Sequence, residues 1–157
     1  MNVVLKECAR AQTALDADAV HDLRVALRRC RSIADALSMI DPSPSWRQMK
    51  RAGRRLFRGL GALRDGQVMS EWVRQLAPDE DSEYKLFLGM LAEEEAQHKV
   101  LAGEALRSFD TKQWRKWSRE LPARAAKLEV GSLVFKQLAL ERWTEARDLH
   151  RLAVRNR

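Results

Sequence analysis

No apolar run in this chain approaches the roughly 20 residues that a membrane-spanning helix requires. The opening MNVVLKECARAQTAL starts apolar, but Glu7 and Arg10 interrupt it before a signal-peptide core develops. A cytoplasmic location is therefore expected. There are two cysteines, Cys8 and Cys30, and they form no CxxC pair. They are expected to be small buried hydrophobes in a reducing compartment rather than metal ligands. Strand signals are almost missing: few β-branched residues occur together, and no Asn-Gly or Asp-Gly hairpin turn appears. There is also no GxxxxGK[ST] loop and no plausible Ser-His-Asp grouping, so neither the enzyme class nor a cofactor is indicated. Acidic residues are absent from Trp46 to Arg64, a stretch that holds Arg47, Lys50, Arg51, Arg54, Arg55, Arg58 and Arg64.

What is present is helical. The 157 residues, 45% hydrophobic and 32% charged, suit one globular domain with a real core. Apolar periodicity predicts a first helix over about Val3–Leu15 and a second, capped by Asp16 or Asp18, that turns Val20, Leu23, Leu27, Cys30, Ala34 and Leu37 inward. DPSPS at 41–45 breaks it and offers Ser45 as N-cap of a basic helix burying Met49, Leu56, Leu60 and Leu63. Further helices are expected over MSEWVRQLA up to Pro78, from about Asp81 to Phe109, around KQWRKWSREL up to Pro122, and from near Glu129 to the chain end. The sum is an all-α bundle of antiparallel helices without a domain linker.

The formal charge of +7 points to an anionic partner. At about 100° per residue, His21, Arg24, Arg28 and Arg31 fall within about 80° of arc, bordering the apolar face of the second helix. Like charges so spaced repel by tenths of a kcal/mol per pair, and Asp22 lies off the row, so an external anion is expected to relieve them. The third helix repeats the pattern with Lys50, Arg54 and Arg58 in one row and Arg47, Arg51 and Arg55 beside it. Packed together, the two helices would make a cationic trough. Arginine suits phosphate, because its planar guanidinium gives paired charge-assisted bonds and stays protonated. The plainer alternative is that these stems lie along core edges with their heads in water.

Near the end, LHRLAVRNR echoes VHDLRVALRR, matching His150 to His21, Leu152 to Leu23, Val154 to Val25 and Arg157 to Arg28, with Ala153 where Arg24 would stand. The helix HDLRVALRRCR and the later LGALRDGQV together resemble the conserved-histidine α-helical domain, CHAD. The residues that carry the resemblance are His21, Arg24, Arg28, Arg31, Leu60, Gly61, Arg64, Asp65 and Val68. The resemblance spans the whole chain. It implies a helical bundle with internal two-fold symmetry that binds inorganic polyphosphate without catalysis, through basic residues lining a groove, on storage granules in some cases.

The resemblance sets the expected ligand-binding residues as His21, Arg24, Arg28, Arg31, Lys50, Arg51, Arg54, Arg55, Arg58 and Arg64, with His150 and Arg157 from the second repeat. Since that repeat breaks off at its first helix, the second half of the domain is expected to be cut short, and a homodimer could complete the bundle. Two rival readings stand beside this one. One is a nucleic-acid binder that stacks bases on Trp114, Trp117 and Trp143, although no helix-turn-helix, zinc-finger or RNA-module signature appears. The other is a scaffold whose helices dock a partner protein. Glu95 and His98 form a single Glu-x-x-His, where a di-iron bundle needs two such motifs plus further carboxylates.

Overall fold

The computed structural model describes residues 1–76, 82–128 and 132–155, and among these every regular element is an α-helix. The order is α1 (Asn2–Thr13), α2 (Ala17–Ile40), α3 (Pro44–Gly59), α4 (Gly61–Leu76), α5 (Ser82–Arg107), α6 (Thr111–Ala125) and α7 (Ser132–Arg155). The all-α expectation is met. The chain forms two compact units, Met1–Leu121 and Pro122–Arg157.

Helix α2 begins where Asp16 accepts a bond from Ala19 N at 2.7 Å. Its expected stripe, Val20, Leu23, Leu27, Cys30, Ala34 and Leu37, is buried throughout. It ends at Asp41, which precedes Pro42 and is therefore held extended, at φ −120° and ψ 114°. The Asp41 carboxylate is buried, accepting from Ser43 N at 3.1 Å and from Trp46 Nε1 at 2.8 Å. That clasp turns the chain into α3. The N-cap is Ser43 rather than the expected Ser45, because Pro44 takes the first helical position, where its missing amide costs nothing.

Two contacts set α2 and α3 antiparallel: Arg24 lies on Phe57, and Asp35 pairs with Lys50. Helices α4 and α5 are antiparallel too. A Cβ added at Gly59, just before α4, would overlap the Cβ of Ala105, while one at Gly66 would reach within 4.0 Å of His98 Nδ1. The basic segment is two helices, since α3 stops at Gly59 and α4 starts at Gly61, with Leu60 and Leu63 buried at the bend.

Helix α6 packs on α3 at Gly53, where an added Cβ would meet the Trp114 ring at 3.3 Å. Trp114 donates to Met1 O at 3.3 Å and sits between Phe109 and Trp117, with ring centroids at 5.3 and 6.1 Å. Pro122 does not end α6 as expected. The helix runs on to Ala125 although Pro122 has no amide to bond toward Ser118, and Ala126 N reaches Pro122 O at 2.9 Å.

Candidate anion-binding site

The arginines of α3 come together beside α6. Arg51, Arg54, Arg55 and Arg58 line an open groove of about 660 Å³ with Gln48, and the facing wall is Gln113 and Trp117. The cause is local. Helix α3 buries only the narrow stripe Trp46, Met49, Gly53 and Leu56, so its cations are left on the outer arc. The missing side chain at Gly53 lets the Trp114 ring lie against α3, which draws Gln113 and Trp117 to the groove's edge. No ion pair binds these four arginines to a carboxylate among the described residues, and no acidic side chain lines the groove. Such a row is self-repulsive, and only solvent or an outside anion can neutralise it.

The α2 row has a divided character. Arg24 is half-buried, donates to Phe57 O at 2.9 Å and stacks 4.0 Å above the Phe57 ring. It thereby satisfies one of the last carbonyls of α3. Burial lowers the affinity of its guanidinium for the proton, and Asp65 works against that shift. Arg31 lies 3.8 Å from Asp35, which also holds Lys50. The expectation of a row without internal counter-charge is thus corrected: Asp35 and Asp65 supply it at two points. Arg28 is exposed and carries no such partner among the described residues. Arg54 lies between Lys50 and Phe57 along α3, level with the turn of α2 that holds Arg28 and Arg31.

Arg64 donates to Ala17 O at 3.3 Å, tying α4 to the start of α2. With His21, Arg74 and Lys99 it lines a second, mixed-charge depression of about 550 Å³ that also contains Asp16, Asp18, Glu71 and Glu95. Asp22 is engaged by Arg10 at 2.9 Å, which also holds the buried Glu7 at 3.2 Å and ties α1 to α2. The bond to Asp22 raises the Arg10 pKa. His150 is exposed on α7, and Arg157 lies outside the described residues.

Sequence reasoning missed the α6 side of the groove and a basic ridge on the same helix, Lys112, Arg115, Lys116 and Arg119. Their i, i+3, i+4, i+7 spacing was the available signal. Trp114 and Trp117 are 1% and 7% exposed, so they are core residues and not free stacking platforms, while Trp143 is 66% exposed. Glu95 pairs with Lys99 at 2.9 Å, and no cluster of three or more His, Cys, Asp or Glu side chains suited to a metal occurs among the described residues. Among them, too, no helix is long and apolar enough to cross a membrane.

The α2 motif helix, the cationic α3 and the Arg64 bridge stand in an all-helical frame that one family describes. The CHAD domain model matches residues 2–156, and the chain belongs to that family. No curated protein and no solved structure matches it.

Proposed function

We propose that this protein binds inorganic polyphosphate, without catalysis, along a basic path that runs from the α3–α6 groove across Arg54 to Arg28 and Arg31. The observation that carries the reading is the groove itself, four arginines assembled in one concavity whose lining holds no carboxylate. Membership of a family associated with polyphosphate, and generally with binding rather than catalysis, supports it. A phosphate polymer offers regularly spaced oxygens for guanidinium pairs and no bases to read. The burial of Trp114 and Trp117 disfavours a ligand that must stack. Arg24 and Arg64, held by backbone carbonyls, serve to fix the helices that present the exposed cations. The protein would then sit where its polymer does, in the cytoplasm or on polyphosphate or storage granules.

Titration calorimetry with long and short polyphosphate at two salt concentrations tests this. Affinity should fall steeply with salt, as counterion release demands, and polyphosphate should displace duplex DNA at matched charge. A variant with Arg51, Arg54, Arg55 and Arg58 changed to Gln should lose binding and keep its helicity. Undiminished binding by that variant, or preferential retention of DNA, would remove the proposal.

A further inference from the structure

Helix α5 is apolar on two opposite faces. Tyr84, Leu91, Ala102 and Leu106 are buried. At about 100° per residue, Leu86, Met90, Val100 and Leu101 centre about 150° round the helix from them. This second stripe is exposed, Leu86 by 69% and Met90 by 56%. Helix α4 does the same: Met69, Trp72 and Leu76 are exposed about 150° from Leu63, Gln67 and Ser70, which are buried. Packed side by side, the two helices turn both stripes to the outer side of their hairpin. With Phe87, these eight side chains each offer on the order of 100 Å². That gives about 800 Å² per partner, beyond the usual patch of a monomer and equal to the share of a stable complex.

The same chain also carries an exposed stripe of complementary pattern. On α7, Leu140, Trp143, Arg147, His150 and Val154 fall within about 80° of arc, and Leu140, Trp143 and Val154 are exposed. From Leu140 to Val154 the stripe is about 21 Å long, against about 22 Å from Leu86 to Leu101. Both are interrupted at the middle by polar residues, Glu93 and Gln97 on α5 and Arg147 and His150 on α7. Glu93 follows Leu86 by two turns, and Arg147 follows Leu140 by the same interval. Glu93 has no ion-pair partner among the described residues, and Arg147 has only its exposed neighbour Asp148, at 3.6 Å. An apolar–polar–apolar stripe that carries an acid therefore meets one that carries a base, in either helix direction.

We infer that two copies of this chain exchange their last helices: α7 of each docks on the outer α4–α5 face of the other, with Arg147 set against Glu93. One two-fold contact then covers the outer α4–α5 face and the Leu140–Val154 stripe of both chains. The intact protein should sediment as a dimer at micromolar concentration. Trp143→Lys and Met90→Lys should each give a helical monomer, and mixing those two variants should recover association through the one intact α7 contact. Glu93→Arg and Arg147→Glu should each raise the dissociation constant about tenfold or more, and the two together should restore it. A monomer at every concentration overturns the proposal. So does a dimer indifferent to Trp143→Lys, an absence of recovery on mixing, or a failure of the paired charge reversal.

Discussion

Gly59 offers the sharpest test of how the cationic helix is held. The structure has no glycine at positive φ among the described residues, so Gly59 is not required by the backbone. It is required by space, since a Cβ there would overlap the Cβ of Ala105 on α5. Two effects oppose each other in Gly59→Ala. Helix propensity favours alanine by up to about 1 kcal/mol, while forcing a methyl into a closed helix crossing costs about 1–3 kcal/mol. Backbone must move here, because Ala105 has no longer side chain to swing aside, so the steric cost sits near its upper end. The net expectation is a loss of about 1–2 kcal/mol, or about 3–6 °C in Tm for a chain of this size. Urea unfolding followed by circular dichroism and tryptophan fluorescence would measure it. The companion change Ala105→Gly removes the obstructing methyl, so the double variant should regain most of the loss, with a favourable coupling of about 1–2 kcal/mol. If Gly59→Ala is neutral or stabilising, or if Ala105→Gly brings no recovery, α3 does not cross α5 as described.

Three further outcomes are expected. Arg28→Ala with Arg54→Ala should weaken polyphosphate binding at least about tenfold, about 1.4 kcal/mol, with helicity unchanged; calorimetry reads both the affinity and its salt slope. Asp41→Ala should cost about 2–3 kcal/mol in chemical denaturation, because it strands the buried Trp46 N–H and the Ser43 amide. Burial pushes the Cys8 thiol up to about 12. The unfolded chain therefore releases this proton near its ordinary value of 9.0 while the native protein keeps it. Stability from this group is complete below pH 9 and declines as pH rises toward 12, by at most about 1.4 kcal/mol per pH unit. Comparing Cys8→Ala with the parent chain across that range isolates the effect, and identical pH slopes would contradict it.

The period of the apolar residues made most of the frame legible, and the stripe from Val20 to Leu37 is buried residue for residue. What depended on contacts between distant helices was not. Arg24 reads as one cation in a row of four, yet its Phe57 platform lies 33 residues away and turns it into a fastener between α2 and α3. The groove has the same origin: α3 shows the arginines, but only the contact of Gly53 with Trp114 reveals that α6, and not α2, builds the opposite wall. Asp35, one turn beyond Arg31, was within reach of the periodicity and shows that the row is partly neutralised from inside. The helix limits at Ser43 and Pro122 went astray at prolines: Pro44 takes the first position of α3, and α6 continues through Pro122 with the loss of that residue's own backbone bond.

Trp117 gives the groove a built-in optical reporter. Its indole is the sole tryptophan among the groove's lining residues, and its emission should respond when a polyanion reorders the guanidinium groups around it. Occupancy could then be followed in the unlabelled protein, with Trp117→Phe silencing the signal and leaving capture of the polymer intact.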